Sequence, residues 1–439
     1  MQSRALRLVL LPLTALPIAT LLLLALPLGA GAALAAPGGC PPGTKPCIKH
    51  KGRCCGPPSP PPPKPPPPAD WAARVASNRM LYTHDDAVDV PHVHAGGGTT
   101  TWGWHPSVAN GVVGTIVDSG TVFLSGVFNG PDLSTTRAYA ANFSNAGARP
   151  HLAMVPSHLA VRIANASVFA CAIDLERGIY LRRSRLASAA VVVEQRWYAH
   201  RTRKSVLVME LELLGAAGAE AAAVATVGLQ LHSIGDFMTN VDVAWTEVDE
   251  STGSKMWQRT GHTKQNEDGS VPGTLRLAYV SSAVPASLEL TAGSPVSFFG
   301  VGESSITARG QSSPLQRAVA TWNALDGMAA GDKAGLAKGH AEAWAELWHL
   351  ATIEIDTDRV DIQRAVNSTL YGMLSLHDES DTSPFPGSPL DGITLGSFGH
   401  WGGCYLWDAD LWMYPVLALW RPDFMSKMLQ CKTRHFVSI

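Results

Sequence analysis

The sequence predicts a multidomain β + α protein in which a large antiparallel β-sandwich hands over, through a helical linker, to a helical domain. From residue 71 to about residue 292, apolar residues recur with period two in short runs separated by turn residues. Near Ser313 the period lengthens to that of a helix and stays there. A third feature sets this body apart from what precedes it. Residues 56–70, "GPPSPPPPKPPPPAD", hold ten prolines in fifteen positions. Such a run has neither the donors for a sheet nor the freedom for a helix, so it reads as an extended polyproline II spacer.

Composition bounds the function. With 439 residues, 46% hydrophobic and 16% charged, there is material for two or three domains with substantial cores. A formal net charge of −2 supplies no basic field for nucleic acid. The expected divisions are a signal peptide (1–35), a small Cys-rich segment (36–56), a Pro-rich linker (57–70), the N-terminal β-sandwich (71–312), the helical linker (313–350) and a helical domain (351–439).

Arg4 and Arg7 precede an apolar run over 8–34, and Ala33-Leu34-Ala35 supplies a small-x-small cleavage pattern. An uncleaved anchor is the rival, since the run is long enough to span a bilayer, but Pro12, Pro17 and Pro27 interrupt it. The cleaved form implies a secreted or lumenal protein without stable membrane insertion. Four of the seven cysteines, Cys40, Cys47, Cys54 and Cys55, crowd into the next segment and read as a small disulfide knot. Zinc is the alternative, with His50 nearby, although paired C-x-x-C hooks are lacking. Cys171, Cys404 and Cys431 remain, an odd number, so at least one is a thiol or pairs between chains. Asn142, Asn165 and Asn367 head glycosylation sequons.

Within the sandwich, "GVVGTIVDSGTVFLSGVFNG" (111–130) places two β-rich runs around Asp118-Ser119-Gly120, a hairpin signal. Seven further runs follow between "SVFACAIDL" and "ASLELTA". In the linker, Leu336, Trp344 and Leu347 fall at helical spacing, and beyond it Ile362, Val366, Leu370 and Met373 share one helix face, with Asp361 placed to cap it.

The most informative stretch is "HWGGCYLWDADLWMYP" (400–415), with three tryptophans and two aspartates in sixteen positions. Residues 405–407 read as a short strand or turn, Asp408 as an N-cap, and 409–420 as a helix bent at Pro415 and ended before Pro422. Indole rings stack on the apolar C–H faces of a sugar, and carboxylates beside them accept bonds from its hydroxyls. The alternative is that Trp407 and Trp412 are core and Asp408 only a cap.

This stretch, together with "HAEAWAELW" (340–348), "IQRAVNSTLYGMLSL" (362–376) and "PSVANGVVGTIVDSGTVFLSGVFNG" (106–130), resembles glycoside hydrolase family 65. The likeness is greatest to its acid-trehalase-like branch, which includes the protein-glucosylgalactosylhydroxylysine glucosidases, and runs with gaps from about Trp102 to Gln430. The resemblance implies a large β-sandwich, a helical linker and an (α/α)6 barrel, of which 351–439 would be the first part. It implies that Trp407 and Asp408 hold the nonreducing glucose, and that Asp410 and Trp412 lie on the helix shaping the same pocket. One departure is that Gly403-Cys404-Tyr405-Leu406 stands where the family usually has Gly-His-x-Phe.

The family cleaves α-glucosides with inversion: a glutamic acid protonates the leaving oxygen while water, or phosphate in the phosphorylases, attacks the opposite face. Twelve barrel helices need roughly 250 residues, whereas 88 follow Ala351. The resemblance therefore implies a chain that carries the sugar-holding half of the site without an identifiable catalytic acid. Glu194, Glu210 and Glu212 read as exposed positions of alternating strands, Glu342 and Glu346 as the polar face of the linker helix, and Glu379 as solvated. "HDDAVDVPHVH" (84–94) offers His92 and His94 to a metal, but the family's chemistry calls for no metal and no cofactor. The expected partner is a carbohydrate substrate. The alternatives are a secreted non-catalytic carbohydrate-binding protein and a wall-associated glycoprotein.

Overall fold

The structure is a computed structural model. It describes residues 65–84, 107–130, 151–187, 191–214, 224–231, 242–251, 254–266, 275–306, 312–350, 352–356, 359–375, 378 and 409–437, with a few isolated short strands elsewhere. The leader, the cysteine knot, most of the proline spacer and His92 and His94 fall largely or wholly outside these residues. The spacer's last proline, Pro68, is extended (φ −49°, ψ 142°), and helix α1 (Ala69–Ala76) begins directly after it, so Ala69 and Asp70, expected in the linker, belong to the helix.

Among the described residues, eighteen strands follow α1 in the sandwich region besides the isolated pair at 92–93 and 99–100. They are β1 (Met80–Thr83), β2 (Ser107–Ala109), β3 (Val113–Ile116), β4 (Thr121–Leu124), β5 (Phe128–Asn129), β6 (His151–Leu152), β7 (Val155–Pro156), β8 (Val161–Ile163) and β9 (Ala166–Asp174). Then come β10 (Ile179–Leu186), β11 (Val192–Ala199), β12 (Val206–Leu214), β13 (Val224–Leu231), β14 (Val243–Asp249), β15 (Met256–Thr263), β16 (Arg276–Ser282), β17 (Ser287–Thr291) and β18 (Val296–Ser304). A nine-stranded sheet runs β14-β15-β16-β18-β12-β11-β10-β9-β1. Smaller sheets run β7-β4-β3-β2 and β8-β13-β17.

The period-two pattern builds this sandwich directly. On β11 and β12 the inward residues Val193, Trp197, Leu207, Met209 and Leu211 join Val113, Val122 and Leu124 from the four-stranded sheet, and Val161, Val227 and Leu290 from the three-stranded one, in one core. Side-chain donors tie the layers where strands end: the Trp197 indole N–H donates to the Leu159 carbonyl and the Gln195 amide to the Val161 carbonyl, both at 2.9 Å.

Three helices cover the outer face of the large sheet. These are α1, α2 (Pro314–Asp326) and α3 (Ala330–Leu350). Tyr198, Val208 and Phe299 from the sheet pack there with Trp71, Trp322 and Leu336 from the helices. Ser313 caps α2 in a reciprocal capping box with Gln316, and Pro314 opens its first turn. A short strand β19 (Ile353–Ile355) leads to α4 (Val360–Ser375), and a further helical stretch follows with α5 (Tyr414–Trp420) and α6 (Pro422–Val437). Trp344, Trp348, Leu370, Leu374, Tyr414, Leu417, Phe424 and Met428 gather these helices into a third apolar cluster. Among the described residues no helix is long and apolar enough to cross a membrane.

The expected sheet-to-helix order is present, with local differences. Strand β18 escaped the sequence because its glycines dilute the strand signal, yet it lies mid-sheet between β16 and β12. Asp361 sits inside the first turn of α4 and pairs with Arg359 instead of capping the helix. Ile362 is exposed, because α4 buries the face of Asn367, Leu370, Tyr371 and Leu374. The glutamates differ most. Glu194 and Glu210 are buried, since the outer face that alternation assigns to solvent is covered by helices. Cys171 is a buried thiol outside any disulfide, hydrogen-bonded with the Tyr180 hydroxyl.

Candidate functional site

The Trp-Asp-x-Asp-x-Trp motif leads into a helical segment with a changed pitch. Ala409–Met413 form a π-helical turn, and α5 follows with Pro415 in its first turn. Pro415 has no N–H to close an α turn over the preceding residues, so the wider turn sits immediately ahead of it. The single bent helix expected over 409–420 is thus a π turn joined to an α-helix. Arg421 leaves helical geometry (φ −137°, ψ 73°), and Pro422 opens α6, which sets the expected break before Pro422.

Asp410 is half-buried on the π turn, and Trp412 is 66% exposed beside an exposed Leu411. Trp407 and Asp408 lie outside the described residues, and with them the Asp408 cap and the pocket it would share with Trp412. The π turn is anchored from behind: Tyr414, Leu417 and Trp420 are buried in the cluster that holds Trp344 and Tyr371. An exposed indole on a firmly packed helix is a rigid platform, able to stack on a sugar face at little entropic cost.

The Asn-Gly-x-x-Gly element is built as a clip. The Asn110 carboxamide accepts from the backbone N–H groups of Val112 and Val113, both at 2.9 Å, and donates to the carbonyls of His200 at 3.0 Å and Lys204 at 2.9 Å. It therefore fastens the β2–β3 turn to the loop after β11. Asn110→Ala strands several buried backbone groups at once, and urea denaturation should show a loss of about 3 kcal/mol. A loss within the surface-mutation range of about 0.5 kcal/mol would mean that water replaces the amide.

Charge concentrates on the covered face of the large sheet, around a cleft of about 760 Å³ bounded by α1, α3 and strands β10–β12. Arg196 reaches Glu194 at 2.7 Å, Glu210 at 3.6 Å, and Glu212. Burial works against its charge, yet Glu194, Glu212 and Glu210 together keep it more firmly protonated than an ordinary arginine. Arg183 bridges Glu194 at 2.7 Å and Asp70 at 2.5 Å while lying 4.4 Å over the Trp71 ring. Burial raises the Glu210 carboxyl, and the Tyr198 hydroxyl donates to it at 2.7 Å. The lining charges compensate one another, so the cleft is a lattice that docks α1 against the sheet. Lys338 and Glu342 form an exposed i,i+4 pair at 3.8 Å, as expected for the linker's polar face.

Sequence reasoning missed the buried pair at the β3–β4 hairpin. Asp118 accepts from both terminal nitrogens of Arg182 and from Arg162 at 3.2 Å. Its partners sit 64 and 44 residues away, so no local pattern announces them. Asn367 is also reassigned. Its amide donates to the Asn78 carbonyl at 2.9 Å and accepts from Gln363 at 3.0 Å in a buried position, so the folded chain offers no glycan acceptor there. Asn165, by contrast, is exposed at a turn with φ +52°.

No family model matches the chain. It is similar to a protein-glucosylgalactosylhydroxylysine glucosidase from Dictyostelium discoideum, 27% identical over 333 residues, which are 74% of this chain and 42% of that protein. A kojibiose hydrolase from Mucilaginibacter mallensis is 35% identical over 146 residues, 33% of this chain and 20% of that protein. A periplasmic acid trehalase from Saccharomyces cerevisiae is 32% identical over 93 residues, 21% of this chain and 8% of that protein. Among solved structures, a protein assigned as a kojibiose phosphorylase from human microbiome shares the fold with a TM-score of 0.51 at 12% identity, over 77% of this chain and 46% of that one. These likenesses bear out the resemblance to family 65 glycoside hydrolases. The matches span less than half the length of each of these proteins.

Proposed function

We propose that this chain carries the sugar-holding part of an α-glucoside-directed glycosidase. Trp407 and Asp408 hold the nonreducing glucose, and Asp410 and Trp412 shape the wall beside it. The observation that carries this is the exposed Trp412 indole on a π turn continuous with the packed helix α5, within a motif that resembles the family's glucose subsite. The named relatives support a glucoside as substrate, and the glycan-binding and wall-protein alternatives draw no comparable support from them. On this reading α4, α5 and α6 belong to the opening of an (α/α)6 barrel, the subsite is of the kind that serves cleavage with inversion, and passage through a secretory compartment makes Asn165 a glycan acceptor, while Asn142 lies outside the described residues.

None of the glutamates singled out from the sequence and described in the structure is placed as the proton donor. Glu194, Glu210 and Glu212 are ion-paired on the sandwich, and Glu342 pairs with Lys338 in solvent. The expected result with the purified protein is saturable binding of kojibiose, trehalose or a glucosylgalactosyl glycoside, with no glucose released above buffer. Binding should fall at least about tenfold in Asp408→Asn, the loss of one charge-assisted hydrogen bond or more. Absence of any sugar binding would sink the proposal. Glucose release abolished by Asp408→Asn would keep the subsite and overturn the assignment of a missing acid.

A further inference from the structure

The covered face of the sandwich meets the helices at two histidines. His340, on α3, is fully buried. Its Nδ1 accepts the backbone N–H of Arg201 at 3.0 Å, and its Nε2–H donates to the Gly178 carbonyl at 3.2 Å. Both bonds together require one neutral tautomer. His200, whose ring lies 5.8 Å away, accepts the backbone N–H groups of Thr202 at 3.3 Å and Arg203 at 3.2 Å, and bonds to the Leu336 backbone on α3. The loop after β11 thus grips α3 through both imidazoles. It reaches α4 as well: the Arg201 guanidinium donates to the Leu374 carbonyl at 3.1 Å and lies 5.3 Å over Trp344, which stacks on Tyr371.

Burial and the neighbouring positive groups favour the neutral state of the two rings and outweigh the backbone carbonyls of Arg177, Gly178 and Leu336, which favour the protonated one. The loop presents Arg201, Arg203 and Lys204. The turn before β10 presents the carbonyls of Arg177 and Gly178, while its Asp174 is engaged by Arg74 and the Arg177 backbone. The sheet presents Tyr198, whose hydroxyl is given to Glu210, and α3 and α4 present Trp344 and Tyr371. Among the described residues no carboxylate is hydrogen-bonded to either imidazole. A proton on His340 Nδ1 would point at the Arg201 N–H and add a cation beside the Arg201 guanidinium.

We propose that His340 and His200 form a proton-operated latch, holding α3 and α4 on the sandwich at neutral pH and loosening them in acid. Burial, with the neighbouring cations, pushes His340 down to about 3 and His200 down to about 4. In the released state both return to about 6.5, so release takes up protons as soon as the pH falls below that value. The latched state is at full strength above pH 6.5 and weakens as pH falls toward 4. At pH 4.5, His340 alone shifts the equilibrium by about 100-fold toward release. Burial raises the carboxyls of Asp174 and Glu210, and protonating them in acid acts in the opposite direction.

The test is hydrogen exchange on the full chain at pH 7 and pH 4.5, corrected for intrinsic exchange rates. Residues 330–350 and 360–375 should lose protection by a factor of about 100 or more, while β11 and β12 keep theirs. His340→Gln retains one donor and one acceptor without a titrating ring, and its helices should respond to acid markedly less. His158→Gln is the control: that histidine is also held low, at about 4, mainly by burial, but its ring packs on Trp257 at a site outside the latch. Its removal should leave the helical response intact. Equal loss from strands and helices, or an unchanged acid response in His340→Gln, would overturn the latch. Should His340→Gln fail to fold, the ordering of helices before strands in the unmodified protein and the response of His200→Gln decide the matter.

Discussion

Gly178→Ala should destabilise the protein by about 3–4 kcal/mol in urea denaturation and release the helical cluster before the sandwich. Gly178 sits at φ +65° in the turn between β9 and β10, where its N–H donates to the Asp174 carbonyl at 2.8 Å. A Cβ there would lie 2.2 Å from the Trp344 indole nitrogen and 2.3 Å from the adjoining ring carbon. The ring has little room to retreat, since Tyr371 stacks on it at 5.2 Å and the Arg201 guanidinium lies 5.3 Å over it. Gly293→Ala separates the two causes. Gly293 has φ +73° and nothing within 4 Å of where a Cβ would stand, so only the backbone cost of about 1 kcal/mol applies. Equal losses in the two variants would show that Trp344 moves aside freely and that the close approach contributes nothing.

The sandwich was legible because its information is local. Alternation along β11 and β12 assigns Val193, Trp197, Met209 and Leu211 to one side without knowledge of the rest of the chain. The Asp118-Ser119-Gly120 hairpin was legible for the same reason, with Asp118 and Gly120 both at positive φ. Period two cannot say what covers the second face, however. Glu194 and Glu210 look solvated until helices close over that face, with α1 and α3 bounding the charged cleft, and those two helices come from opposite ends of the strand region. The candidate site was read through resemblance, and its local turn was only half legible. Proline at 415 announces a break in the helix but not that a π turn will absorb it, because the turn is followed at once by Tyr414 and Leu417, which are buried in a cluster drawn from distant parts of the chain. Asn367 makes the same point from the other direction, since a sequon is local while the Asn78 carbonyl that occupies its amide lies 289 residues away.

Asp118→Asn should cost about 3–5 kcal/mol, as expected when one member of a buried ion pair is removed. The substitution is chosen to isolate charge. Asparagine tolerates the left-handed conformation at φ +69° and nearly preserves the side chain's shape, so neither backbone strain nor a cavity enters. What changes is the charge facing two guanidinium groups. Arg182 is buried on β10, 5.1 Å over Trp197 and 5.8 Å over Tyr180, and ring faces compensate a cation only in part. Arg162, bonded to the same carboxylate at 3.2 Å, keeps a path to solvent and can turn outward. The double variant Asp118→Asn/Arg182→Met then discriminates between loss of a charge pair and loss of a hairpin. Removing both charges should restore more than half of the single variant's deficit, because methionine fills the site between Trp197 and Tyr180 without a cation to desolvate. A single variant within about 0.5 kcal/mol of the parent, the range of surface changes, would show that the carboxylate is not what holds Arg182 in place. A double variant no better than the single would assign the deficit to the hairpin's hydrogen bonds instead of to buried charge.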